Sequence, residues 1–183
     1  MINIDLNNTY RLISGTIGDR ISLGEFYALQ MSGNEVLLRV IIKPHPDPLL
    51  PNVYNLSMGP PVSTDRIDDT VRLRHKDSSL VFSTAILFAL TFLTEFPDMH
   101  IGFDGSDDTR ATLYHSMFIT NRTTMQDFFV SIGVDWYVKL LRNQLDIERS
   151  AEGIPLFKPR PEAFDYQRIR HDLYRYYMLA LKN

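Results

Sequence analysis

The sequence predicts an α+β fold: an antiparallel sheet of four to six strands packed on a buried central helix, with a mostly helical C-terminal half. Three observations predict it. The chain up to about residue 75 alternates β-branched and aromatic runs with Gly, Asn and Pro breaks, the punctuation of an antiparallel sheet. Leu80 to Leu93 is an apolar run broken only by Ser83, Thr84 and Thr91. Beyond it, apolar residues recur at helical spacing.

Residues 10–16 and 25–43 read as strands, the latter folded back at Gly33-Asn34, a two-residue hairpin signal because the turn needs positive φ. Across the turn, Val36, Leu38, Val40 and Ile42 share the better core face. Pro44 to Pro51 cannot continue a ladder and reads as an exposed loop. Val53 to Met58 is the next strand, stopped by Gly59-Pro60-Pro61, and Thr70 to Arg74 fits a short one.

Asp77 or Ser78 caps a helix running to about Phe96 and closed by Pro97. Only Thr84, Thr91 and Glu95 form a polar stripe on it, so it is covered on most sides. Met99 to Phe103 follows as a strand and 106–119 as a helix. Thr123 to Gln126 fits a capping box, and Met125, Phe128, Phe129 and Ile132 continue at helical spacing to Gly133. Asp135 starts another helix, with Tyr137, Leu140, Leu141 and Leu145 as its stripe. Pro161-Glu162 makes a first turn, and Tyr166, Ile169, Leu173, Tyr176 or Tyr177, and Ala180 carry the pattern onward. Residues 1–132 form the α+β core domain. Residues 133–183 form a helical extension docked on it or on a partner.

Composition narrows the chemistry. A chain of 183 residues, 44% hydrophobic and 22% charged, builds one core. The net charge of −3 gives no bulk attraction to nucleic acid. The absence of cysteine excludes disulfides, thiolate catalysis and Cys-based metal sites. His45, His75, His100, His115 and His171 show no ligand spacing, and no HExxH, GxSxG, P-loop or dinucleotide fingerprint occurs. No cofactor is expected. The N-terminus lacks a signal-peptide pattern and the longest apolar run is too short to span a bilayer, so a cytoplasmic location without membrane contact is expected.

The most informative stretch is Ile101 to Phe118. Asp104-Gly105-Ser106 joins strand to helix, and Arg110 and Tyr114 follow four residues apart on one helix face. Such a junction offers free N–H groups and a positive dipole end, which makes Gly105, Ser106, Arg110 and Tyr114 anion- or phosphate-binding candidates. The same residues also fit a capped helix with Arg110 paired to a carboxylate such as Asp104. Asp107 and Asp108 place negative charge where a phosphate would sit. Asp104, Asp107 and Asp108 are weak metal candidates, which would need carboxylates such as Asp68, Asp69 or Asp98 brought alongside. Lys158 to Lys182 carries six Lys/Arg against three Asp/Glu. Arg168, His171 and Arg175 there are candidates for a partner or nucleic-acid surface.

Val53-Tyr-Asn-Leu-Ser-Met-Gly59, Ile67-Asp-Asp69, the apolar helix ending Phe96-Pro97-Asp98, and Gly105-Ser106 followed by Arg110, Leu113 and Tyr114 together resemble a bacterial family of unknown function, family 6934, over roughly residues 24–132. That family's junction usually reads Gly-Ser-Thr-Pro with further arginines in the helix. Here Asp107 and Asp108 replace Thr-Pro, and Thr112 and His115 stand where arginines are usual. The resemblance implies the fold and brings no established activity. The leading expectation is a non-catalytic binding or interaction protein with a protein partner or a second copy, of the kind found in toxin–antitoxin or phage-defence operons. The alternative is a small phosphodiester-processing enzyme using Arg110, Tyr114 and the three aspartates.

Overall fold

The computed structural model describes residues 1–68, 70–141, 146–169 and 171–182. The chain runs β1 (Ser14–Thr16), β2 (Ser22–Leu29), β3 (Glu35–Pro44), β4 (Val53–Gly59), β5 (Pro61–Ser63), β6 (Arg66–Ile67), α1 (Ser78–Glu95), β7 (His100–Asp104), α2 (Asp108–Thr120), α3 (Arg122–Phe128), β8 (Phe129–Val138), β9 (Phe157–Ala163) and β10 (Tyr176–Leu181). Eight strands form one sheet in the order β1-β2-β3-β4-β7-β10-β8-β9, and β5-β6 form a small hairpin. All pairs in the large sheet are antiparallel except β4 with β7, the two strands joined through α1. The expected antiparallel sheet of four to six strands is therefore larger, and mixed.

The β2–β3 hairpin forms, but its loop is longer than two residues. Gln30 N–H donates to Asn34 O, and Gly33, at φ 86°, donates back to Gln30 O. Met31, Ser32 and Gly33 thus make a three-residue loop with glycine in the left-handed position. Leu38, Val40 and Ile42 face the core as expected. Residues 70–74 form no strand; the ladder there is a single bridge between Gln30 and His75.

α1 starts where the sequence places it, with the Asp77 carboxylate accepting from Leu80 N–H at 2.9 Å. Phe88 lies over Gly24 of β2, and Phe92 packs its ring on Tyr54 of β4. By length and composition α1 could cross a membrane, but half of it is buried within the fold. Of its polar stripe Thr91 and Glu95 are exposed, whereas Thr84, with Ser83 beside it, is buried. Ser79, Ser83 and Thr84 accept from the N–H groups of Asn3, Asp5 and Tyr10, and so seat the N-terminal segment along the helix. Asn121, buried at the end of α2, completes that seat by accepting from Ile4 N–H and donating to Ile2 O.

The C-terminal half is not mostly helical: beyond α3 the described elements are strands. The helices expected from Asp135 and from Pro161 are absent among the described residues, and the helix begun near Thr123 ends at Phe128. Leu145, part of the expected stripe, lies outside the described residues. β8 and β10 replace those helices, and the division at residue 132 falls inside β8. The spacing misled for a physical reason. β10 lies in the middle of the sheet, so Tyr176, Tyr177, Met178 and Leu179 are all buried and no polar alternation marks the strand. β8 is covered on one face by aromatic residues and carries apolar residues on the other. Pro159 and Pro161 are tolerated because β9 is the edge strand.

All three helices pack on one face, the side of Phe26, Val40, Ile101, Phe103, Tyr177 and Leu179. The opposite face carries a second cluster of Leu50, Val53, Val134, Tyr176 and Met178. Leu50 belongs to the loop expected to be exposed; it is buried on this cluster.

Candidate functional site

Two hollows flank the first turns of α2. One, of about 750 Å3, lies between α2 and the segment leading into β10, and is lined by Asp108, Thr109, Thr112, His171, Asp172 and Arg175, among others. The other, of about 790 Å3, lies between α2, the end of β4, residue 68 and residues 70–75. Its polar lining is Asp68, Thr70, Arg72, His75, Asp107, Thr109 and Arg110. Leu38, Met58, Leu73 and Leu113 supply an apolar floor.

The junction itself is capped by its own chain. Asp107 is the N-cap: one of its oxygens accepts from Arg110 N–H at 2.8 Å. The other pairs with Arg110 Nε at 3.3 Å. Arg110 is half-buried and paired as expected, with Asp107 rather than Asp104. Asp104 accepts from Ser106 N–H, and Asp108 takes Arg175 Nη1 at 2.6 Å. Gly105 is buried, and its N–H donates to Arg175 O. A Cβ there would meet the Tyr177 ring at 2.9 Å and the Ala111 backbone at 3.2 Å, so glycine is required by close packing. Tyr114 opens into neither hollow; it packs between Phe103 and Tyr177. Burial raises its phenol pKa, Arg110 opposes this, and Asp104 and Asp107 add to the rise.

The structure thus brings Arg175 and His171 beside Asp108, joining two groups that are far apart in sequence. It does not add Arg168 to them. Arg168 is turned inward, donating to both oxygens of Asp135 at 2.9 and 2.6 Å and to Glu162 at 2.9 Å, with its guanidinium 3.7 Å from the centre of the Tyr174 ring. Among the described residues no three His, Asp or Glu side chains gather as a metal site, so Asp104, Asp107 and Asp108 do not converge. Asp69 lies outside the described residues.

Sequence reasoning missed Arg72 and His75. Burial lowers the His75 pKa, so its ring is neutral near pH 7. Gln30 Nε2 lies 3.0 Å from its Nδ1 while also bonding Ala28 O, which leaves the imidazole proton on Nε2. The available signal was the pair of stretches Met58-Gly59-Pro60 and Ile67-Asp68, which look like strand-end punctuation until the fold sets them against α2.

The Family of unknown function (DUF6934) matches residues 25–143. No curated protein and no solved structure matches the chain. The chain belongs to the DUF6934 family, and every residue lining the 790 Å3 hollow lies within the matched span.

Proposed function

We propose that this DUF6934 member is a non-catalytic binding protein whose ligand seat is the hollow between α2, the end of β4, residue 68 and residues 70–75. The observation that carries the reading is convergence. Four separate stretches, around Leu38, Met58–Pro60, Asp68 with Thr70–His75, and Asp107–Leu113, line one cavity of small-molecule size. Its chemistry suits a small amphipathic ligand with an acidic group. Arg110 and Arg72 supply the cationic side, Thr109 a hydroxyl, and Leu38, Met58, Leu73 and Leu113 the bed for an apolar body.

Binding is better supported than catalysis because the polar groups are engaged with one another. The Thr70 hydroxyl donates to Asp68 at 2.6 Å, which holds that carboxyl below its ordinary value and ionised at neutral pH. The phosphodiester-processing alternative has less behind it. Tyr114 is committed to the core, and Asp104, Asp107 and Asp108 each serve a separate bond.

A thermal-shift panel of small carboxylates and phosphomonoesters tests the reading. A true ligand should raise the melting temperature of the wild type, and Arg110→Met should weaken it by about tenfold or more, the worth of one charge-assisted bond. Arg175→Met, across α2 in the other hollow, should not. A ligand held equally by the wild type and Arg110→Met would overturn the assignment.

A further inference from the structure

Gln30 and His75 face each other across the bridge that ties the end of β2 to the segment before α1. Met31 N–H donates to Arg74 O and Lys76 N–H to Leu29 O, both at 2.8 Å, so the backbone on either side of His75 is held. The two side chains then meet. Gln30 Nε2 lies 2.8 Å from Ala28 O and 3.0 Å from His75 Nδ1. Reversing the amide would set Oε1 against the Ala28 carbonyl, acceptor on acceptor, so Nε2 donates to both. Nδ1 of His75 therefore accepts, and the ring presents Nε2–H. That nitrogen has no partner among the described residues and is not sealed from solvent. The ring itself lines the 790 Å3 hollow. Gln30 is 6% exposed, and its Oε1 has no partner among the described residues. A methionine of similar size would leave no buried, unbonded carbonyl there. What the amide achieves is to fix one proton on one nitrogen of a cavity-lining ring.

We propose that His75, positioned by Gln30, makes the hollow select acids that also carry a carbonyl on their apolar body: oxo or acyl acids rather than plain carboxylates or phosphates. The seat is the one proposed above, and the role of His75 rests on it. Charge divides the labour. The acidic group of the ligand goes to Arg72 and Arg110. His75, neutral near pH 7, offers a single uncharged donor in a hollow floored by Leu38, Met58, Leu73 and Leu113. The carboxylates already there are engaged, Asp68 with Thr70 and Asp107 with Arg110. A carbonyl oxygen satisfies Nε2–H and brings no proton that needs an acceptor. An amine would set donor against donor, and a saturated chain would leave the N–H unbonded beneath it. A site built to bond a polar group rejects the analogue lacking it, because its own group is then stranded.

The test titrates the full chain, by calorimetry and thermal shift, with straight-chain carboxylates and alkyl phosphates, each beside its analogue with a keto group in the chain. The wild type should prefer the keto member of a binding pair by about tenfold, the worth of one hydrogen bond. His75→Phe should bind both members alike, and Arg110→Met should weaken both alike. Gln30→Met should melt no lower than the wild type yet lose part of the preference, which a merely structural glutamine would not do. Nitrogen NMR of the histidine rings should show His75 as the Nε2–H tautomer, with that proton shifted by the keto acid and not by the plain one. If no acid binds, the seat fails and the role of His75 with it. If acids bind through Arg110 but the keto group brings no preference, or the preference survives His75→Phe, the seat stands and the role of His75 is overturned. Should His75→Phe not fold, the wild-type spectrum decides: a ring protonated on Nδ1, or an Nε2 proton unmoved by the keto acid, overturns it.

Discussion

Replacing Arg168 with methionine should destabilise the chain by about 3 kcal/mol. The guanidinium is only 11% exposed and joins three pieces: β8 through Asp135, β9 through Glu162, and the β9–β10 connection through Asp172 at 3.8 Å. Methionine keeps most of the stem packing and removes the charge. Breaking a fully buried pair costs ~3–5 kcal/mol through the charge left behind. Asp135 and Glu162 are 25% and 37% exposed, so water recovers part of that, leaving about 2–3 kcal/mol. Losing the contact over Tyr174 adds ~0.5–1 kcal/mol. For a chain of this length the sum lowers the melting temperature by about 6–12 °C. Arg168→Lys should recover less than half, since an ammonium can neither bridge both Asp135 oxygens in plane nor stack on the ring. Urea unfolding of the three proteins, with unchanged m-values, measures this. A loss below about 1 kcal/mol for Arg168→Met would mean that the charge works in solvent, and would return Arg168 to the candidate nucleic-acid surface.

Other perturbations bear on separate parts of the fold. Phe88→Ala should cost ~3–5 kcal/mol, because the ring is buried against Gly24, and half-buried Leu87→Ala clearly less; equal losses in denaturant would contradict the orientation of α1. Gly133→Ala should cost about 2–3 kcal/mol, since a Cβ there falls 2.3 Å from the Tyr174 ring; a melting temperature unchanged from wild type would refute that stacking. Stability should also fall between about pH 6.5 and 5. Burial lowers the pKa values of His45, His75, His100 and His115, so the unfolded chain binds protons first as the pH drops. Each histidine contributes at most about 1.4 kcal/mol per pH unit, and His115→Gln should flatten the slope of melting temperature against pH. A flat wild-type profile through that window would show the rings to be titrating freely.

The sequence made the first hundred residues legible because each element there carries a local signal. α1 has a cap, an apolar run and a closing proline. β3 alternates, and Gly33 marks a turn. What could not be read was a middle strand inserted from the far end of the chain. Tyr176 to Leu181 contains residues suited to either state, and only the neighbours β7 and β8 decide it. The candidate site was half legible. Residues 104–110 were recognisable as a strand–helix junction, yet which aspartate capped it, and which faced Arg175, depended on geometry without a sequence mark. Arg168 read as a surface cation because its partners Asp135 and Glu162 meet it only through the β8–β9 pairing. The operon setting came from the kind of family, and no residue argues for it.

The position of β10 also fixes what can be cut away. The matched family span, 25–143, includes β7 and β8 but not β10, which hydrogen-bonds both. Without it those two strands would stand about 10 Å apart, two strand spacings, with unpaired N–H and C=O groups facing a slot. Both faces would open as well. Tyr177 and Leu179 would leave the helical side, and Tyr176 and Met178 the other. Tyr177 also donates to Ala111 O at 2.9 Å, and Gly105 N–H donates to Arg175 O, so the start of α2 leans on the same strand. Removing residues 161–183 should therefore abolish cooperative unfolding altogether, rather than trim a docked appendage. Loss of sigmoidal thermal melting and of dispersed amide resonances in the truncated chain is the expected result. A truncated chain that still melts cooperatively within a few degrees of wild type would show that β7 and β8 can close on each other, and that β10 is an addition to a sheet already complete.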